Sequence, residues 1–481
     1  MTPDDYRSQD GVGLAQLIAR GEASAPEVAE AAISLLETLN PRLNAVVRTR
    51  LGPARTEAAQ ALPHGPLAGV PFLLKDVNLF SRDLPTRFAS RFFADAPPGG
   101  EESTMVRRWR EAGLLILGQT NTPEFAGDFI TEPTAHGPTR NPWNDGVTVG
   151  GSSGGAGAAV AAGLVPLAHG TDLGGSIRIP AACCGVFGFK PSVGLNPLGP
   201  RWEEIAGGLD ADHVLTRTVR DSAASLDATA GPEAGTRLGG RPPPGGFLSG
   251  LVAPLPRLRI GVTVEDPSGR RAGSAQVAAV ERTARLLSGL SHRLEPYAYP
   301  PEAVPGPWFD ALWTTDILHL VRERAAQLGR EPREDELEGL TWAALRHAQG
   351  LSAADYLDAR LAMVRAAQAL GRSMERFDIV LTPTLAEDPP ALGTLNFEAN
   401  GHDLEGWNAR GYGFAPFSTP ANLAGQPSAS CPVMIGAQGI PLAVQITGRP
   451  GADLLVLQLA RELEEATEWA RTYAGLWKRL I

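Results

Sequence analysis

Apolar segments of strand length alternate with amphipathic segments of helix length along most of this chain. LAGVPFLLKDVNLF, LLILGQT, LVPLAHGTD, LRIGVTVED, FDIVLTPTL and PLAVQITGRP are apolar with little alternation, as strands buried on both faces are. Between them, GEASAPEVAEAAISLLETLNP carries apolar residues at helical spacing behind a Ser24–Glu27 capping box, and Pro41 is expected to close it. TMVRRWREAG, GGAGAAVAAGL, the segment behind Thr218 and Asp221, most of 268–375 and DLLVLQLARELEEATEWA also read as helices. Strands needing cover on both faces, and helices to supply it, define an α/β chain around a largely buried sheet. Neither a repeat nor a long linker divides the order, so residues 1–481 are expected to form one large domain. Glycine and proline crowd 231–257, which reads as an exposed excursion.

Composition narrows the partners. A net charge of −10 repels polyanions, so neither nucleic acid nor an anionic membrane is expected as a partner. No stretch has the roughly 18 uninterrupted apolar residues of a membrane span, and MTPDDYRSQD has neither the basic start nor the apolar run of a signal peptide. A cytoplasmic location is expected. Cys183, Cys184 and Cys431 form no disulfide framework and no CxxC, and no histidine pair has metal-ligand spacing, so buried thiols and no metal are expected.

Three lysines stand against forty arginines. A lysine kept against that bias can do what arginine cannot, which is to lose its proton. Lys478 in the terminal WKRLI needs no such reason. Lys75, inside GVPFLLKDVNLF, invites one. Downstream lie two glycine-rich runs holding serines, GGSSGG (150–155) and TDLGGS (171–176). Phosphate cradling is disfavoured, since neither GK[ST] nor GxGxxG order is present. GGSSG and GSSGG each match the GxSxG elbow of an α/β-hydrolase, with Ser152 or Ser153 as nucleophile, but no histidine stands in a recognisable triad context. The reading that uses both runs and the lysine makes Ser176 the nucleophile and the peptide N–H groups of TDLGGS an oxyanion hole. Neutral Lys75 is then the base and Ser152 the hydroxyl relay between them. Burial would have to lower the lysine from its free pKa of about 10.4.

Lys75 in GVPFLLKD, the GGSSGG run and TDLGGSIRIPAACCG, in that order, resemble the amidase signature family. The likeness runs from LIARGEASAPEVAEA to PLAVQITGR and is densest over 65–192. The resemblance implies a large twisted mixed β-sheet covered by helices on both faces, and a Ser–cis-Ser–Lys triad. Ser176 becomes the acyl-enzyme nucleophile, Ser152 the relay in a cis peptide with Gly151, and Lys75 the base. The oxyanion hole falls on the N–H groups of Leu173, Gly174, Gly175 and Ser176. Ser153 is left as a supporting partner, Asp172 and Arg178 as a pair bracing the loop, and the histidines as bystanders. EFAGD (124–128) corresponds to a loop over the scissile amide, which brings in Ala126, Gly127 and Asp128. Asp128 reads as a solvated loop carboxylate or as a reader of substrate cations. Lys190 is expected to bond backbone or a carboxylate.

The family needs no cofactor, and its pocket is completed by variable segments, here about 230–420. Trp308, Trp313, Trp342, Trp407, Tyr412 and Phe414 would line an apolar channel or fill core. GPTRNPWN, HGTDLGGSIRIPA and GLDADHVLTRTVRD are most similar to the branch that includes 6-aminohexanoate-cyclic-dimer hydrolase. That likeness implies hydrolysis of a small-molecule amide, with cyclic or linear oligoamides as candidates. The alternative is the glutaminase component of a glutamyl-tRNA amidotransferase, although its glutamine-binding arginine segment has no counterpart here. A homodimer is compatible with the sequence, which requires none.

Overall fold

The structure, a computed structural model, describes residues 1–480. Eleven strands form one sheet. In chain order they are β1 Val46–Thr49, β2 Pro71–Lys75, β3 Leu115–Thr120, β4 Leu167–Thr171, β5 Phe187–Lys190 and β6 Asp212–Thr216, followed by β7 Arg259–Val262, β8 Arg293–Pro296, β9 Ile379–Pro383, β10 Ser428–Ile435 and β11 Pro441–Gly448. Across the sheet the order is β1-β3-β2-β4-β6-β5-β10-β11-β9-β7-β8. β2 runs parallel to both β3 and β4, and β7 to both β8 and β9, while the remaining pairs are antiparallel. Every residue of β2, β3 and β4 is buried, as their unbroken apolar runs predict.

Helices cover both faces. Leu442, Val444 and Ile446 of β11 pack in one cluster with Val280 and Leu287 of helix Ser274–Gly289 and Val456 and Leu459 of helix Asp453–Thr467. Ala443, between them in sequence, faces the other way, into a cluster with helices Gly154–Ala161 and Arg178–Cys184. This is the period of two that a pleated strand imposes. A third cluster joins helices Trp308–Leu328, Gly339–Gln349 and Ala353–Ser373 to Phe88, Phe125 and Trp407. That helical layer roofs the site.

Several expectations are adjusted. The capping box at Ser24 and Glu27 forms, but its helix continues through Pro41 to Leu43, where Asn44 ends it in the left-handed region (φ 50°). A proline in the last turn forfeits one hydrogen bond, too little to stop the helix earlier. Thr218 caps its helix as expected, while the carboxylate of Asp221 accepts from Gly11 N (2.7 Å) and Val12 N (2.9 Å), serving a second helix. β1, β5, β6, β8 and β10 were not among the strands the apolar runs announce.

Candidate active site

β2 and β4 are parallel neighbours, so their carboxyl ends emerge side by side, the place where open α/β sheets leave a crevice. Lys75 ends β2 and Thr171 ends β4. Lys75 is wholly buried, and its Nζ lies 2.7 Å from Ser152 Oγ and 2.8 Å from Thr171 Oγ1. Burial lowers its pKa to about 7, against the upward pull of Asp210, Asp212 and Asp172.

Below the lysine lies a polar layer that sequence reasoning missed. Lys75 N donates to His169 Nδ1 at 3.2 Å, which leaves His169 Nε2 carrying the proton it shares with Asp212 Oδ2 at 3.3 Å. Burial, and then the charge of Lys75, hold the His169 pKa well below its ordinary value, so the ring is neutral. His169 is therefore no bystander. Asn78 Nδ2 donates to Asp210 (2.6 Å) and Asp212 (3.3 Å). Burial pushes Asp212 up to about 7 and Asp210 well above the carboxylate range, the latter also by repulsion from Asp212. Lys75 thus sits over carboxyls that resist ionising.

The glycine–serine turn is pinned from beneath. Thr131 Oγ1 donates to Gly150 O (2.9 Å), and Gly154 N donates to Thr131 Oγ1 (3.2 Å). The Gly151–Ser152 peptide is cis, and a Cβ at Gly151 would lie 2.5 Å from the backbone N and O of Ile130. No larger residue fits there. Ser153 N donates to Ser176 O at 3.1 Å, and Thr171 N donates to Ser153 Oγ at 3.2 Å, so Ser153 ties the two serine loops together.

The TDLGGS loop hangs on Asp172 and Arg178, both fully buried. The guanidinium meets the carboxylate in a fork, Nε to Oδ2 at 2.9 Å and Nη2 to Oδ1 at 2.8 Å. Burial alone would raise the Asp172 pKa, but the charge and hydrogen bonds of Arg178 outweigh it and the net shift is downward. Arg178 also reaches Ser418 O, Gln445 Oε1 and Asn422 Oδ1, at 2.8, 2.8 and 2.6 Å. Ser418 Oγ and Thr419 Oγ1 donate to Gly174 O at 2.7 and 3.2 Å.

One expectation about this loop changes. Gly175 N donates to Asp172 Oδ1 at 2.8 Å, so it is already committed. Gly175 has φ +131°, and a Cβ there would sit 2.3 Å from Ser418 Oγ. The conformation turns its N–H toward the bracing carboxylate. Among the described residues, the N–H groups of Leu173, Gly174 and Ser176 keep no protein acceptor.

Ser152, Thr171, Leu173, Gly174 and Ser176 open onto a cavity of about 900 Å³, counting the space at its mouth. Ala126, Gly127 and Asp128 line it as well, on a turn where Phe125 and Ala126 have positive φ (52° and 55°). Asp128 is not a solvated loop carboxylate. It is half-buried, its Oδ1 accepts from Trp407 Nε1 (3.1 Å) and Phe129 N (2.7 Å), and burial pushes its pKa up to about 8. Trp313, Trp407 and Tyr412 line the cavity, whereas Phe414 is core, Trp308 packs in the helical layer and Trp342 faces another groove. Lys190 Nζ donates to Pro191 O at 2.9 Å, away from the cavity. Among the described residues no cluster of His, Cys, Asp or Glu could hold a metal, and no helix is long and apolar enough to cross a membrane.

A buried amine on a serine hydroxyl, beside a second serine in a loop of free N–H groups, defines a class, and comparison with known proteins agrees. The chain belongs to the amidase family, whose pattern matches residues 27–457. It is an amidohydrolase acting on amide C–N bonds. The 6-aminohexanoate-cyclic-dimer hydrolase of Paenarthrobacter ureafaciens is 36% identical over 478 residues, 96% of this chain and 95% of that protein. The solved structure of 6-aminohexanoate cyclic dimer hydrolase complexed with substrate matches with TM-score 0.92 at 33% identity, covering 98% and 99% of the two chains. A bacterial aryl acylamidase of the amidase signature family gives TM-score 0.87 at 29% identity, covering 98% of each chain. Family membership sets the α/β-hydrolase reading aside, and these relatives leave the amidotransferase reading less supported.

Proposed function

We propose that the chain hydrolyses a small-molecule carboxylic amide through an acyl-enzyme on Ser176, with cyclic and linear oligoamides, 6-aminohexanoate cyclic dimer among them, as its substrates. The observation that carries this is the wholly buried Lys75 amine, 2.7 Å from Ser152 Oγ, with its pKa brought down to about 7. The substrate range is supported by the 6-aminohexanoate-cyclic-dimer hydrolases among its relatives.

Neutral Lys75 donates one N–H to Thr171 Oγ1, which turns the nitrogen lone pair toward the Ser152 hydroxyl. As Ser176 Oγ attacks the carbonyl, its proton passes to Ser152 and the Ser152 proton to Lys75. The structure holds the Lys75–Ser152 link ready, and rotation of the Ser176 side chain about Cα–Cβ completes the second link. The tetrahedral oxyanion takes hydrogen bonds from the free N–H groups of Leu173, Gly174 and Ser176, donors fixed before the reaction begins. The relay then returns the proton to the leaving nitrogen, without which an amine departs poorly. Water repeats the sequence on the ester, releasing the acid and Ser176. Ammonia or amine release from 6-aminohexanoate cyclic dimer and a panel of simple amides, lost in Ser176→Ala, tests this reading. Turnover that survives in Ser176→Ala would contradict it.

A further inference from the structure

The cavity's charges all have one sign. Asp128, Asp210 and Asp316 line it, and no lysine, arginine or histidine does. The rest of the wall is largely apolar, with Phe309, Trp313, Ile317 and Trp407 among its members. Lys75 lies beneath the floor and spends its amine on Ser152 and Thr171. Asp210 is engaged by Asn78, and Asp316 accepts from Ala206 N. Asp128 differs from both. Trp407 and Phe129 donate to one of its oxygens, and the other has no protein partner among the described residues.

We propose that this cavity selects amides by charge: a substrate's ammonium group is held by the free oxygen of Asp128, and amides bearing a carboxylate are turned away. The inference rests on this cavity being the amide site of the proposed function and names the chemistry of the substrate's non-reacting end. A carboxylate entering an apolar space walled by three acids meets like charge and no compensating donor. An ammonium loses water too, but gains a charge-assisted hydrogen bond from an acceptor already fixed by an indole and a backbone N–H. Because burial keeps the empty Asp128 readily protonated, neutral amides also enter freely. A cyclic amide carries no charge until it opens, and its leaving amine, still tethered to the acyl-enzyme, becomes an ammonium within the same cavity.

The test is binding to Ser176→Ala, which has no nucleophile, by titration calorimetry with three amides of matched length. These are 6-aminohexanamide (cationic), heptanamide (neutral) and the monoamide of pimelic acid (anionic). Expected is an affinity about tenfold or more tighter for the cation than for heptanamide, and about tenfold or more weaker for the anion. Adding Asp128→Asn, which keeps the acceptor facing Trp407, should erase the advantage of the cation and leave heptanamide within about threefold of its former affinity. Heptanamide thereby reports whether the variant keeps its cavity. Equal affinities for cation and neutral amide, a cation advantage that survives Asp128→Asn, or no binding of any of the three would overturn the proposal. Ammonia release from heptanamide by the unaltered enzyme reads the amidase assignment separately.

Discussion

Lys75 must be a base near neutral pH, and burial is what makes it one. The active form is the neutral amine, populated above its pKa of about 7. kcat/KM should therefore be flat above that value and fall about tenfold per pH unit below it. A pH–rate profile with an amide of constant charge checks this, and a limb centred near 10 would contradict it. Thr171 fixes the lone pair through its 2.8 Å bond to Nζ. Thr171→Val should lower kcat roughly tenfold, the worth of one hydrogen bond, with KM unchanged and Thr171→Ser restoring most of the loss. Steady-state kinetics of the two variants would show otherwise if KM moved instead. Lys75 was legible as an isolated lysine in an arginine-rich chain. Thr171, His169, Asp210 and Asp212 were not, because threonines, histidines and acids of this kind are common, and these matter only once β2, β4 and β6 lie side by side.

Among the elements, the TDLGGS loop is held by one ion pair that also fastens it to distant chain. Arg178 joins Asp172 to Ser418, Asn422 and Gln445, so the nucleophile loop, the segment after residue 417 and β11 share one buried anchor. Arg178→Ala would leave the Asp172 carboxylate buried without its partner, at a cost of about 3–5 kcal/mol. Urea unfolding should show that loss together with a fall in activity, and a change below about 1 kcal/mol would mean the pair braces nothing. The bracing role was readable from the spacing of Asp172 and Arg178, but its far partners were not. The same division holds for strands. β2, β3, β4 and β11 announce themselves by unbroken apolar runs, while β6 (DHVLT) and β10 (SASCPVMI) carry buried polar residues or proline and so break the pattern. In β6 those polar residues, Asp212 and His213, are part of the buried layer near the site or beside it. Function disguised the strand.

For the whole molecule, the sheet brings into one crevice residues some hundred positions apart, and the helical layer over it supplies the aromatic wall. That wall was only half readable. Trp313, Trp407 and Tyr412 reach the cavity and Phe414 does not, since which side of a helix faces the site is decided by packing between layers. The central claim is that one hydroxyl, Ser176, becomes acylated with Lys75 as the source of its reactivity. Intact-mass measurement after treatment with a fluorophosphonate, followed by peptide mapping, tests it most directly. A single adduct on Ser176 that disappears in Lys75→Ala is the expected result. An adduct on Ser152 or Ser153, or one on Ser176 that persists without Lys75, would contradict the account.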